Sequence, residues 1–90
     1  MVYAFYPGAD ESQMEKQVTS KIEQFLFSFE EVNKQKTKSQ TRDGQVFITV
    51  ELHTSIKDRK KFWHTLQLDM DANLRPKLPA GVVGPFINSN

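Results

Sequence analysis

The run from Val46 to Leu52 is the clearest strand in the sequence. Its apolar side chains alternate with Phe47, Thr49 and Glu51; they are Val46, Ile48, Val50 and Leu52. Because successive side chains of a strand point to opposite faces, this alternation gives one continuous apolar stripe. Such a strand is expected at the centre of a sheet that carries a layer of helices on one face. The chain should therefore fold around a small sheet.

The composition is that of an ordinary globular chain with one modest core. Of the 90 residues, 26% are charged and 38% are hydrophobic, and we treat residues 1–90 as one domain. A net charge of +1 gives no strong attraction for nucleic acid or for an acidic membrane. The absence of cysteine excludes disulfides and thiolate metal sites. The apolar runs are short, no signal peptide is predicted, and the abrupt ends are compatible with a piece of a larger protein.

Two amphipathic stretches predict helices that bury one face. The first begins after the N-cap candidate Asp10 and should end near Phe29; its apolar positions are Met14, Val18, Ile22, Phe25, Leu26 and Phe29. The second runs from Ile56 to Leu74, and its spaced positions are Arg59, Phe62, Trp63, Leu66, Met70 and Leu74. Thr54 or Ser55 is expected to cap the second helix.

Two further strands are predicted beside the apolar one. Val2 to Tyr6 is rich in β-branched and aromatic residues and should end at Pro7. Val32 to Arg42 carries lysines on one parity and Thr and Ser on the other, which favours a polar strand at a sheet edge. Asp43-Gly44 predicts a type I′ hairpin turn between this strand and the apolar one. The glycines and prolines after residue 78 predict a loop for the tail.

The order strand, helix, strand, strand, helix, tail indicates an α+β fold. It is the ferredoxin-like, split β-α-β-β-α order with the last strand missing, and the two helices should cover one face of a small mixed sheet. In this arrangement the first and third strands are expected to be parallel neighbours. Without a fourth strand, Val2 to Tyr6 would be an open sheet edge at which the isolated chain could self-associate.

No motif in the sequence indicates catalysis, a metal or a cofactor. The two histidines, His53 and His64, do not have a metal-binding spacing with each other. No glycine-rich loop with phosphate-binding spacing follows a predicted strand. Asp69 and Asp71 are two residues apart on a predicted helix, so they do not face each other as an acid/base pair. We therefore expect no enzymatic activity and no metal or cofactor.

Aromatic residues on the second face of the sheet leave two interpretations open. Tyr3 and Phe5 on the first strand and Phe47 on the third are expected to share this face. RNA-recognition modules have the same strand–helix order and stack bases on such rings. The stretch from Gln45 to Leu52 lacks their Lys/Arg-Gly-aromatic pattern, and Glu51 adds an acid to the face. Contact with another protein domain is the preferred interpretation, so no nucleic acid is expected as a partner.

Several motifs of the chain resemble one family in order and over nearly its whole length. Tyr6-Pro7-Gly8-Ala9-Asp10, then Glu15, Val18-Thr19 and Ile22-Glu23, are similar to the first periplasmic segment of resistance–nodulation–division (RND) exporters of the acriflavin-resistance type. Ser39, Thr41, Gly44, Val46 and Thr49-Val50-Glu51-Leu52 resemble the hairpin that follows. Trp63, Leu66, Leu78-Pro79-x-Gly81-x-x-Gly84-Pro85 and Asn88 resemble the second helix and its loop. Met14 stands where the family usually has Val, and the lysine-rich segment is longer and more polar than usual.

The resemblance implies a porter subdomain, PN1-like, of a trimeric multidrug efflux pump. Such pumps exchange protons for lipophilic compounds and work with a periplasmic adaptor and an outer-membrane channel. The subdomain would lie in the periplasm as part of a bacterial inner-membrane protein, beside the other porter subdomains and transmembrane helices of its parent chain. It would not be active alone. Its second helix would line the pore at the threefold axis, with Arg59, Lys60, Asp69 and Arg75 as candidate pore or trimer-interface residues. The alternative is a stand-alone ferredoxin-like module that binds a ligand or a protein.

Overall fold

The computed structural model describes residues 1–88 of the chain. Its strands are β1 (Val2–Phe5), β2 (Lys38–Arg42), β3 (Gln45–Thr49) and β4 (Val83–Ile87). Helix α1 consists of Glu11–Met14, a π-helical turn at Glu15–Thr19, and Ser20–Phe27. Helix α2 consists of Arg59–Asp69, a second π-helical turn at Met70–Leu74, and a 3-10 turn at Arg75–Lys77.

The strands form one sheet in the order β2-β3-β1-β4. The residues buried on one face of this sheet share a core with both helices, which confirms the α+β class and the ferredoxin-like order. The polar strand β2 lies at an edge, and the apolar strand β3 lies between β2 and β1, as the sequence predicts. Lys38, Thr41 and Arg42 therefore lie on the edge strand, where unpaired backbone groups meet water.

The prediction that the last strand is missing is wrong, because β4 pairs with β1 along its outer side. The partners are Val2 with Ile87, Tyr3 with Phe86 and Phe5 with Val83. The sequence favoured a loop here because of Gly84 and Pro85. Pro lacks an N–H group, but an edge strand does not need every N–H group for pairing, so this position tolerates it. As a result, β1 is not an open edge, and the edge on this side of the sheet is that of β4.

The prediction of a mixed sheet is also wrong, because each neighbouring pair of strands is antiparallel. The first and third strands are neighbours, but the tight hairpin reverses the chain between β2 and β3. The parallel relation in this topology joins β1 to β2, which are connected through α1 and separated in the sheet by β3. The error came from assigning the crossover to the adjacent pair of strands.

The hairpin and the apolar strand differ in detail from the prediction. Gly44 has a φ of 69°, while no residue other than glycine has a positive φ in residues 1–88. Because a type I′ turn needs positive φ at both central residues, Asp43 rules that turn type out. Regular pairing of β3 ends at Thr49, and Leu52 makes only an isolated bridge with Val32. The segment before Lys38 is a turn instead of the predicted strand.

The start of α1 is confirmed, while α2 begins and ends later than predicted. The Asp10 carboxylate accepts from the Gln13 backbone N–H at 2.7 Å, as expected of an N-cap. For α2 the cap is Asp58 instead of Thr54 or Ser55, and it accepts from Lys61 N–H at 3.0 Å. The 3-10 turn carries α2 through Pro76 to Lys77.

Each helix buries apolar residues at strict four-residue intervals. In α1 these are Met14, Val18, Ile22 and Leu26, and in α2 they are Phe62, Leu66, Met70 and Leu74. Four residues of an α-helix advance about 400°, which exceeds one turn by about 40°. Such a stripe would drift around a regular helix, but one wide π turn in each helix takes up extra residues and reduces the drift. The π turns therefore keep both buried stripes facing the sheet.

Two leucines on α2 offer a matched test of this arrangement. Leu66 is fully buried, whereas Leu68 is 59% exposed. We expect Leu66→Ala to lower the free energy of unfolding by about 2–5 kcal/mol, because it removes buried methyl groups and leaves a cavity. Leu68→Ala should change it by less than about 0.5 kcal/mol. Urea denaturation of both variants measures the difference, and equal losses would contradict the orientation of α2.

Candidate functional site

The sheet face opposite the helices carries a continuous cluster of rings. The pairing register sets Tyr3 directly opposite Phe47 on one side and Phe86 on the other. One row across the sheet is therefore Gln40, Phe47, Tyr3 and Phe86, and the next is Arg42, Gln45, Phe5 and Val83. Directly paired residues of neighbouring strands share a face. We call Tyr3, Phe5, Phe47 and Phe86 the aromatic face.

The rings of the aromatic face touch one another. The centroids of Tyr3 and Phe86 are 5.3 Å apart, and those of Tyr3 and Phe47 are 6.1 Å apart. Phe5 meets Tyr3 at 6.0 Å and Phe47 at 6.2 Å, edge to face in both cases. These separations are typical of attractive aromatic pairs. The prediction that Tyr3, Phe5 and Phe47 share a face is confirmed.

Phe86 and its neighbour Val83 extend this face to the β4 edge and were not predicted there. Phe86 is 39% exposed and Val83 is 47% exposed. They are three residues apart, yet they pair with Tyr3 and Phe5, which are two apart, so β4 is irregular between them. Gly84 has a φ of 105°, and a Cβ atom there would lie 3.1 Å from the Phe86 ring. Glycine thus permits both the irregularity and the position of the ring.

The β2 edge gives the same face a cationic margin. Ser39 and Thr41 point toward the helices, because Ser39 Oγ donates to Glu23 at 2.8 Å and Thr41 Oγ1 donates to Glu15 at 2.7 Å. Alternation then directs Lys38, Gln40 and Arg42 to the aromatic side. All three side chains are exposed. We call Lys38 and Arg42 the cationic margin.

One carboxylate belongs to the opposite end of the face. Glu51 continues the parity of Phe47 and Thr49 beyond the end of β3, and its side chain is exposed. Partial burial lowers the pKa of the Met1 ammonium group, and the Coulombic attraction of Glu51 opposes this decrease. Glu51 thus acts on the amino terminus of β1, at the end of the sheet away from Arg42.

The four residues predicted for a pore or trimer interface do not form one cluster. Arg59 and Lys60 are exposed in the first turn of α2, immediately after the Asp58 cap. Asp69 is half-buried, and its carboxylate accepts from the Asn73 amide at 2.7 Å. Arg75 lies at the far end of the helix. Of these four residues, Arg59, Lys60 and Arg75 are exposed and Asp69 is half-buried.

Arg75 fastens the end of α2 to β4. Its guanidinium donates to Asp71 at 2.8 Å and to the Pro85 carbonyl at 3.1 Å, and it also donates to the Gly84 carbonyl. A planar guanidinium suits such divergent acceptors better than an ammonium group does. These partners are all within the chain, so Arg75 contributes to the fold, while its side chain remains 42% exposed.

The outward side of α2 carries a mixed stripe that the sequence prediction missed. Exposed residues recur three or four apart along it, at Lys60, His64, Leu68 and Asp71. Leu68 is the most exposed of the large apolar residues. We call these residues the outer stripe of α2. The sequence contains one indication of this stripe, because Leu68 falls outside the buried four-residue repeat of α2 and is therefore expected on the opposite side of the helix.

The remaining polar features of residues 1–88 do not assemble into a reactive centre. No group of three or more His, Cys, Asp or Glu side chains could hold a metal in this part of the chain. His53 and His64 are both exposed. A groove of about 460 Å³ runs between the ends of the helices, where Lys21 Nζ donates to the Lys77 carbonyl at 3.1 Å. Its walls include Phe25 and Leu74.

Neither of the two helices described in residues 1–88 has the length and apolar character needed to cross a membrane. Scanned against protein-family models and against curated proteins, the sequence matches none. The aromatic face and the outer stripe of α2 are the two surfaces of residues 1–88 that carry the exposed large apolar residues Val83, Phe86 and Leu68.

Arg75 can be tested against a second arginine on the same helix. We expect Arg75→Met to lower the free energy of unfolding by about 1–3 kcal/mol, because carbonyls of β4 and the Asp71 carboxylate lose a charged donor. Arg59→Met, at an exposed position, should change it by less than about 0.5 kcal/mol. Chemical denaturation measures both. Similar effects would show that Arg75 does not fasten the helix to β4.

The Asp71 carboxylate should make stability depend on pH in the acidic range. Hydrogen bonds from Arg75, and then from Gln67, hold the pKa of Asp71 below its usual range. The contribution of these hydrogen bonds to stability is fully present above the pKa of an aspartate in the unfolded chain, which is about 3.9. It is lost as the pH falls through the lower pKa that Asp71 has in the folded protein. Asp71→Asn should therefore be more destabilising at neutral pH than in strong acid. Thermal melts of both proteins across this range measure the effect, and a pH-independent difference would contradict it.

Proposed function

We propose that this chain is a PN1-like porter subdomain of a proton-driven RND efflux pump. The family resemblance is the basis of the proposal. Its strongest structural support is that the resembling motifs, which are distant in sequence, meet at one end of the sheet. Tyr6 N–H donates to the Gly44 carbonyl at 2.8 Å, and its ring lies 3.5 Å from the Cβ position of Gly81. A Cβ atom at Gly44 would lie 3.2 Å from the Tyr6 carbonyl oxygen, which is a tight contact, whereas one at Gly81 would make an ordinary contact with the ring.

The first of these motifs also forms the turn that starts α1. The Ala9 N–H donates to the Tyr6 carbonyl at 3.1 Å, and Asp10 then caps the helix. Asp43 of the hairpin accepts from Glu11 N–H at 2.7 Å, so the hairpin and the first motif share the helix start. Packing of this kind accounts for a pattern of Pro, Gly and Asp residues without any catalytic role.

In this proposal the chain has a mechanical role and neither catalyses nor transports alone. The proton relay, the membrane spans and the main drug pockets would belong to other parts of the parent polypeptide. The subdomain would lie in the periplasm of a bacterium, within a homotrimer that contacts an adaptor and an outer-membrane channel. No metal or cofactor takes part. The outer stripe of α2, with Arg59 at its start, would replace the four predicted residues as the surface at the threefold axis.

A stand-alone ferredoxin-like binding module is the second candidate. The observation in its favour is that the sheet is complete, with β4 covering the side of β1 that was predicted to be open. In residues 1–88, no buried side-chain nitrogen or oxygen lacks a hydrogen-bond partner. A closed core of this kind would allow the domain to fold outside a larger assembly.

Cysteine cross-linking in the parent polypeptide separates these two candidates. In a cysteine-free parent, Leu68→Cys should form a disulfide between protomers in membranes under mild oxidation, since the outer stripes of α2 would meet at the axis. Gln24→Cys, at an exposed site on α1, is the matched control and should not cross-link. A disulfide requires the two Cα atoms to lie within about 7 Å of each other, so efficient cross-linking indicates that the two helices are packed together. Electrophoresis without reductant measures the product.

The same strains should be tested for export of a lipophilic dye. Leu68→Glu should raise dye accumulation at unchanged protein abundance, because it introduces a charge into the interface, whereas Gln24→Glu should not. A parent protein that stays soluble, or a Leu68→Cys protein that never cross-links, would rule out the pump and leave the binding module.

A further inference from the structure

The aromatic face is an apolar surface that no segment within residues 1–88 covers. The half-buried rings of Tyr3, Phe5 and Phe47 continue directly into Phe86 and Val83, whose exposed fractions are 39% and 47%. Contiguous apolar surface of this kind, with polar residues at its rim, marks an interaction site on a soluble domain. Tyr and Phe are also enriched at the centres of protein interfaces.

The two sides of the face differ in chemistry, and this difference specifies the partner. Along β2 the surface carries the cationic margin, Lys38 and Arg42, with Gln40 between them. Along β4 it carries Val83 and Phe86. A complementary surface must therefore place carboxylates over β2 and apolar side chains over β1 and β4. The surface of the partner is thus apolar over most of its area and acidic along the side that faces β2.

A second copy of the chain fits this surface poorly. Within residues 1–88, the strand parity of the face includes one carboxylate, that of Glu51, which lies beyond the end of β3 and away from Arg42. In a face-to-face pair of copies, each cationic margin would lie either over the partner's cationic margin or over its apolar β4 edge. In neither arrangement would Lys38 and Arg42 meet a row of carboxylates. Like charges at a contact are costly and exclude wrong partners.

Single-stranded nucleic acid also fits less well than a protein. Its binding requires cations that follow the phosphate backbone along the row of stacked bases. Here the cations occupy one edge, the Glu51 carboxylate shares the face, and the opposite edge ends in the aliphatic Val83. The face therefore offers a phosphate chain attraction along only one side.

We infer that the aromatic face docks onto an apolar, acid-margined surface of another domain in the same parent polypeptide. The identity of the occupant as a neighbouring domain rests on the proposed function, whereas its chemistry follows from the face itself. Docking would bury the rings of Tyr3 and Phe47 at the centre, cover Phe86 on the β4 side, and pair Lys38 and Arg42 with carboxylates at the β2 rim. This arrangement matches the usual division of an interface into an apolar centre and a polar rim.

Thiol labelling compares the face in the chain and in the parent polypeptide. Val83→Cys is introduced into the 90-residue chain and into a cysteine-free parent, and each is treated with a small maleimide. A face that is covered more than about nine-tenths of the time should react about tenfold more slowly in the parent than in the chain. Ser12→Cys, at an exposed site on α1, is the control and should react at similar rates in both.

Charge reversal then tests the acidic margin of the partner. Adding Lys38→Glu and Arg42→Glu to the Val83→Cys parent should restore most of the labelling rate of the free chain, because carboxylates would then face carboxylates. The paired control, Lys38→Arg with Arg42→Lys, keeps both charges and should stay protected. Because labelling depends neither on dye export nor on the threefold contact, its outcome is independent of the Leu68→Cys test.

Each alternative occupant predicts a different result that would overturn the inference. Equal slowing of Val83→Cys and Ser12→Cys, or no slowing of either, would show that the face has no specific cover. Sedimentation of the 90-residue chain as a dimer that Val83→Glu dissociates would assign the face to a second copy. Binding of fluorescein-labelled oligouridine that Phe47→Ala abolishes would assign it to nucleic acid.

Discussion

Strand β1 is hydrogen-bonded to a neighbouring strand on each side. The placement of the other strands and of both helices depends on this double pairing. Its pairing with β3 and β4 sends Val2 and Ala4 into the core beneath the helices and leaves Tyr3 and Phe5 on the opposite face. Four residues of one strand thereby build both the hydrophobic core and the aromatic face. A shift of β1 by one residue would exchange these two sets of side chains and destroy both surfaces together.

Polar contacts between distant segments hold the other elements against this strand. Asp43 connects the hairpin to the start of α1, and Thr41 connects β2 to the middle of the same helix. Arg75 connects the end of α2 to β4, while Lys21 spans the two helices through the Lys77 carbonyl. Because these groups are committed within the chain, they contribute to the fold, whereas the rings of the aromatic face and Leu68 of the outer stripe have exposed apolar surface.

Local patterns in the sequence predicted most helices and strands. Contacts between residues that are distant along the chain could not be predicted from these patterns. The repeat from Met14 to Leu26 and the alternation at Val46 predicted a helix and a strand correctly. β4 was missed because Gly84 and Pro85 disfavour a strand, although an edge tolerates them. The role of Arg75 could not be predicted without β4, which supplies its acceptors. The three predicted rings are on one face, but Phe86 joins them only through the irregular pairing of its strand.

The wide turn within α2 has a consequence for how this helix could move. With a residue buried at each fourth position, the contact line between α2 and the sheet runs nearly parallel to the helix axis. In a regular α-helix such a line would wind around the axis, so that sliding the helix along its contacts would also rotate it. A straight line of contact has no screw sense. If α2 were displaced along its axis, its outer side would therefore rotate less than that of a regular helix with the same buried repeat.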